Sequence, residues 1–324
     1  QGCPGVTDHQ PPSGNGDFPP EGLLERLREL LPDASLAAFL EGPPGDTRTW
    51  TRVNTLRTSV DTVLSELARC SIECTRSDWC REAIEIRASV RAVQELEAWT
   101  SGGLHIQSPS SIAASLVLAP RPGERVLDLC AAPGSKTSHL AALMDNRGEL
   151  VANDASRTRS HRLRAVLELL GAKASVRVGR GERIGRREPE GYDRVLVDAP
   201  CSGEGMMRGH LPETWASWKP KTPLRLSSRQ KSLLHSAIEA TRPGGTIVYS
   251  TCTFAPEENE LVVERALAVY EGRVALEPPG VELPGRLPPC ESFRGRSIPR
   301  REELVRLAPP GMDGFFIAKL RRTG

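Results

Sequence analysis

The sequence predicts an α/β protein: a doubly wound, mostly parallel sheet with a smaller α+β domain ahead of it. Three observations carry this. From Arg125 onward, apolar strand-like runs alternate with helical runs and short turns, the pattern of a parallel sheet covered on both faces. The first of these runs, RVLDL, breaks into small residues from Cys130 to Ser135, as a buried strand entering a helix through a tight turn does. The 324 residues, 38% apolar and 26% charged, suffice for one large core and a second, smaller one.

In chain order, residues 1–20 are rich in Pro, Gly and polar side chains and have little to bury, so a disordered tail is expected there. Leu23, Leu24, Leu27, Leu30 and Leu31 recur at helical spacing from Glu21, and Pro32 ends that helix. Residues 51–59 read as a strand and turn, 60–69 as a helix, and the alternation around Ile84 and Ile86 as further strand. Residues 21–100 thus form the smaller domain, a platform suited to a macromolecular substrate, and residues 101–324 the larger one. Within the latter, 102–111 read as a linker-like turn and 112–118 as a short helix. Strands are then expected at 125–129, 149–154, 174–178, 192–198 and 246–251. Helices are expected from Lys136 to about Met144, at 156–170, at 227–241, and from Pro256 to about Tyr270. The Pro/Gly/Arg-rich segment after Ala275 reads as an exposed loop over the site, and 304–307 with 314–320 as an antiparallel pair at the sheet edge.

Composition excludes several classes. Eight cysteines without a CxxC pair, and six His away from zinc-ligand spacing, speak against a metal centre or a disulfide framework and for reduced thiols in an intracellular, cytoplasmic protein. No run approaches the ~20 apolar residues that cross a bilayer. Net charge is only +2, but between Arg157 and Arg187 the sole acids before Glu188 are Glu168 and Glu182, a local excess that fits either a polyanion or a solvated face.

Asp154, Asp198, Cys201 and Cys252 each fall at or just past the carboxyl end of an expected strand, where ligands of such sheets bind, beside the small-residue turn. That turn is neither GxxxxGK[ST] nor GxGxxG, which argues against a nucleoside triphosphate or dinucleotide. A helix starting near Lys136 would aim its free N–H groups at a ligand. Asp154, one βα unit later, is placed to accept hydrogen bonds from ribose hydroxyls, so S-adenosylmethionine is the expected cofactor. Two thiols and a carboxyl group facing a methyl donor suit methylation of cytosine carbon 5, whose carbon is a poor nucleophile until a thiolate adds to carbon 6. An acid at ring nitrogen 3 stabilises the charge formed there, and the base must leave its stack to reach the pocket.

LDLCAAPGSKT, DAPCSGEG, RPGGTIVYSTCT followed by PEENE, and DGFFIAKL, together with RVNTL and the IQ of LHIQSPSS, resemble the NSUN/Sun (Fmu) family of RNA cytosine-5 methyltransferases over roughly residues 45–322. The resemblance implies a Rossmann-like class I methyltransferase fold. It implies Cys252 as nucleophile, Cys201 as the releasing thiol, Asp198 at nitrogen 3 and Lys136 near the base. Cys130, Ala131, Ala132, Pro133, Gly134, Ser135, Lys136, Asp154, Arg159 and Asp198 would hold the cofactor. DNA cytosine-5 enzymes attack from the Pro-Cys position, which here is Cys201 and marks the competing assignment. Two positions depart from the family pattern: Gly181 stands where an acid is expected, with Glu182 next to it, and Ser108 follows Gln107 in place of an acid. The expected partner is RNA, ribosomal before transfer RNA, acted on by a monomer with targeting left to the small domain, basic surface or a partner protein. Competing readings are a catalytically silent RNA-binding or ribosome-assembly factor and an amino-group methyltransferase; the latter favours an Asp/Asn-Pro-Pro-aromatic loop, which Asp198-Ala-Pro-Cys201 lacks.

Overall fold

The computed structural model describes residues 18–42 and 48–324; the tail expected over residues 1–20 lies almost wholly outside them. The large sheet has nine strands, and one side of it, reaching an edge at Ser175–Val178, is five parallel ones in the order Ser175–Val178, Glu149–Asp154, Arg125–Asp128, Tyr192–Asp198, Thr241–Thr251. Side chains explain the covering on both faces. Val195 and Val197 join a core with Leu233, Ala237 and Val262, whereas Leu196 joins the opposite core with Val117 and Leu140. Ile247 and Tyr249 part from Val248 in the same way. Successive strand residues point to opposite faces, so strands apolar at every position need helices on both sides. Pro109–Leu118 and Ser135–Leu143 cover one face, Thr222–Ala240 and Glu260–Val269 the other.

Past Thr251 the sheet turns antiparallel. Phe315–Arg322 pairs with Thr241–Thr251, with Val305–Leu307 and with Val274–Glu277, and Arg286–Leu287 forms the edge. The strands expected as an edge pair therefore lie inside the sheet. The Thr222–Ala240 helix starts earlier than expected, because Pro223 in a first turn has no needed N–H to lose. Glu260–Val269 starts later than Pro256, after a turn.

The small sheet has the order Cys74–Arg76, Ala83–Ile86, Thr49–Val53, Leu104–Ile106, antiparallel throughout. Its last strand corrects the linker-like reading of 102–111: three residues between Gly103 and Pro109 are too few to show an alternation. The Val60–Arg69 helix lays Val60, Val63 and Leu67 on this sheet's core, and the Ser59 hydroxyl caps it by accepting the Thr62 N–H at 3.1 Å.

Two helices open the described chain, Glu21–Leu30 and Asp33–Glu41. The second went unread because Pro32 signals an end, yet it also sits as the N-cap of the next helix. Leu23, Leu27 and Phe39 pack against Trp215, Trp218 and Phe254 of the large domain, apart from the small sheet's core. The segment expected as a loop over the site follows them instead. Phe293 lies 4.9 Å under the Arg26 guanidinium, and Arg301 pairs with Glu264 at 2.9 Å. Its bonds run to the Glu21–Leu30 and Glu260–Val269 helices, the neighbouring strands and itself, a correction to the expected placement. Among the described residues, no helix is long and apolar enough to cross a membrane and no group of His, Cys, Asp and Glu is placed to hold a metal ion.

Candidate active site

Parallel strands put their carboxyl ends on one rim, and there Cys201 and Cys252, 51 positions apart, bring their sulfurs to 3.1 Å. The Cys252 N–H also donates to the Cys201 sulfur at 3.2 Å. Both are free cysteines. The hydrogen bond from Cys201 draws the Cys252 thiol below the usual cysteine range, helped by Lys136 and opposed by burial and Asp198. Cys201 is pushed well above that range by the same bond, by burial and by Glu258. The pair thus favours thiolate at Cys252 and thiol at Cys201.

Lys136 and Asp198 meet beside them, with Nζ 2.8 Å from Oδ2. The Ser250 hydroxyl donates to the other Asp198 oxygen at 3.0 Å, and the Lys136 ammonium stands 5.4 Å from the centre of the Phe315 ring. Lys136 is held in the first turn of the Ser135–Leu143 helix, which starts from Gly134 at φ +117°. A Cβ at Gly134 would come within 3.0 Å of Leu163 and 3.2 Å of Val166, so the turn needs glycine for both space and dihedral.

Leu129, Cys130, Asp154, Arg159, Gly181 and Leu233 line one cleft at this rim. Asp154 ties its two ends together, accepting the Ala132 N–H at 3.2 Å and the Ser156 N–H at 2.8 Å, with Arg159 at 3.4 Å. Arg159 also donates to the Ala132 carbonyl. Ala131 and Ala132 turn their methyl groups into a core with Leu163 and Leu167, leaving backbone as their contribution to the turn. Burial raises the Cys130 thiol far up, which keeps it neutral. A Cβ at Gly181 would fall 2.9 Å from Leu233 and 3.1 Å from Leu129, so an acid there would have to displace both leucines. The Glu182 carboxylate pairs with Arg229 at 2.8 Å and lines a neighbouring cleft beside His235.

Residues 115–321 match the family described as 16S rRNA methyltransferase RsmB/F, and residues 19–93 match its ferredoxin-like domain. The chain belongs to the RsmB/F methyltransferase family. It is 35% identical over 316 residues to ribosomal RNA small subunit methyltransferase F of Serratia proteamaculans, and 36% identical over 315 residues to that of Klebsiella pneumoniae. Each match takes 94% of this chain, which spans 63% and 64% of the two relatives' own lengths. A methyltransferase homolog protein from Pyrococcus horikoshii superposes with a TM-score of 0.76 at 31% identity, covering 93% of this chain and 98% of that one. NSun6 from Pyrococcus horikoshii, solved with SFG, shares the fold at TM-score 0.79 and 22% identity, over 94% of this chain and 98% of its own.

Two groups in this RsmB/F chain escape a reading by motif. One sits under the Cys201 loop: the Ser202 N–H donates to Glu258 at 3.0 Å and the Ser202 hydroxyl to the same carboxylate, while the Gln230 amide donates to Glu258 at 2.8 Å and to the Pro200 carbonyl at 2.9 Å. Glu258 lies within PEENE, but nothing in the sequence paired it with Gln230. The other group comes from the small sheet. Arg52 is 1% exposed and donates to Gln107 at 2.8 Å and Ser138 at 2.9 Å, and His105 meets the Ser135 hydroxyl at 2.9 Å. Burial lowers Arg52 to about 10 and His105 to about 4, so the first stays charged and the second neutral at pH 7. RVNTL and LHIQ therefore clamp the helix turn that carries Lys136.

Glu258 gives a pH signature. Burial raises it from the ordinary 4.5 to about 7, so between those values the folded protein holds a proton that the unfolded chain has released. Its contribution is full below about 4.5 and declines as pH rises to 7, by at most about 3 kcal/mol. Urea unfolding at pH 5 and pH 7.5 should show Glu258→Gln losing less stability across that interval than the parent chain.

Proposed function

We propose that the protein transfers a methyl group from S-adenosylmethionine to carbon 5 of a cytosine in small-subunit ribosomal RNA. The observation that carries this is the pair of sulfurs at 3.1 Å beside the Lys136–Asp198 pair, since carbon-5 methylation needs an attacking thiolate and a group to help it leave. The cleft fits the cofactor. Leu129, Cys130 and Leu233 line it, Asp154 with Arg159 offers the polar end, and the small-residue turn Ala131, Ala132, Pro133, Gly134 and Ser135 follows directly on Cys130. When bound, S-adenosylmethionine supplies an electrophilic methyl group on a sulfonium.

The chain's own residues do the rest. The Cys252 thiolate adds to carbon 6 of the flipped cytosine, and carbon 5 gains the electron density to take the methyl group. Asp198 faces nitrogen 3, and the Lys136 ammonium that donates to it offsets the negative charge that develops there. The carbon 5 proton then passes to solvent, its electron pair re-forms the carbon 5–carbon 6 double bond and expels the Cys252 sulfur as thiolate, and the Cys201 thiol assists by donating a hydrogen bond to that sulfur. Cys201 is the poorer attacker because its thiol is held protonated.

The test uses S-adenosylmethionine labelled in its methyl group with ribosomal RNA from a strain lacking the gene, followed by bisulfite sequencing. One cytosine should gain label and bisulfite resistance. No transfer to RNA would favour a silent RNA-binding factor, and label on an exocyclic amino group would overturn the ring-carbon assignment.

A further inference from the structure

We infer that the exposed stripe of the Arg157–Leu170 helix is a track for the RNA phosphate backbone between the small sheet and the reaction rim. This rests on the RNA-methyltransferase reading above. The helix joins the two places such an RNA must touch. At its start Ser156 and Arg159 line the cofactor cleft. At its end the Leu170 carbonyl accepts from Asn54 at 2.7 Å and the Glu168 carbonyl from Arg57 at 3.4 Å, both from the small sheet's turn. Fourteen residues at 1.5 Å each make a span of about 20 Å.

The helix buries Ser160, Leu163, Leu167 and Leu170. With 3.6 residues per turn, Arg157, His161 and Arg164 fall within about 60° of one another on the outer side, and all three are exposed, as is Arg57 at the far end. Among the described residues, Arg57, Arg157 and Arg164 pair with no carboxylate. Arginines elsewhere commonly do, as Arg125, Arg194, Arg208 and Arg322 show. Glu168 is the one acid on the stripe, and even it stays apart from Arg164 one turn away, making no ion pair. A row of cations left open at arginine's forked geometry matches successive phosphates. Its continuity with a rim that must admit a single flipped base favours RNA over an acidic protein surface.

The experiment measures RNA binding across salt concentrations for Arg57→Gln/Arg157→Gln/Arg164→Gln and for a control of equal charge loss, Arg121→Gln/Arg242→Gln/Arg273→Gln. The control arginines are exposed at the opposite ends of the strands. The first variant should lose at least about tenfold in affinity at low salt and about 2 in the slope of log K against log salt. It should keep its melting temperature and its binding of S-adenosylhomocysteine, and the control should keep the parent slope. A parent-like slope in the stripe variant, or an equal loss in the control, would overturn the track. If the parent binds RNA with this salt dependence but transfers no methyl group, the assigned activity fails and the track stands.

Discussion

Replacing Cys252 by alanine is expected to lower methyl transfer by about 10³-fold or more, and replacing Cys201 by alanine to leave a protein–RNA adduct that survives denaturing electrophoresis. The two outcomes differ because the two sulfurs, though 3.1 Å apart, sit in different surroundings. The hydrogen bond from Cys201, helped by Lys136, draws the Cys252 proton away, while the same bond, burial and Glu258 hold the proton on Cys201. Without the first sulfur there is no adduct and no product. Without the second, addition should be slower for want of its hydrogen bond to Cys252, but methylation should still follow and release should stall. An adduct in the Cys252→Ala protein, with none in Cys201→Ala, would exchange the two roles.

The second large effect is on stability. Arg26→Ala should cost about 3–5 kcal/mol, read as a fall in denaturant midpoint. Arg26 is 1% exposed. Its two terminal nitrogens each lie 3.0 Å from a Glu257 oxygen, and its Nε stands 3.3 Å from Glu204, within ion-pair reach although short of hydrogen-bond geometry. Glu204 is fully buried and also takes the Trp218 indole N–H at 3.1 Å. Removing the guanidinium leaves two carboxylates without their cation, and Glu204 is already raised by burial. Arg26→Lys should recover only part of the loss, because one ammonium cannot reproduce a two-pronged contact.

Much of this was legible because the chemistry sits where local patterns end. Glu149–Asp154 and Tyr192–Asp198 have the bounds that their apolar runs suggest, and a parallel sheet brings Asp154, Asp198 and Cys252 to one rim without further information. Contacts across long sequence separations were another matter. Gln230 and Glu258 lie on or beside helices whose periodicity reports only the buried stripe, so their shared grip on the Cys201 loop leaves no local trace. Leu104–Ile106 is a strand because Thr49–Val53 supplies its partner. The Pro/Gly/Arg-rich segment has the composition of a free loop, yet Arg26 and Glu264 give it anchors.

The order in which the chain visits its parts has a practical meaning. The described chain opens on the large body with Glu21–Leu30, leaves to build the small sheet from Thr49 to Ile106, and returns at Pro109. The small sheet is therefore a guest within the host's chain order, and its Arg52 and His105 grip the host at Ser138 and Ser135. Transplanting the small sheet from one relative to another would require two junctions and a matched pair of gripping residues. A single cut would strand the opening helix from the tryptophans it shelters.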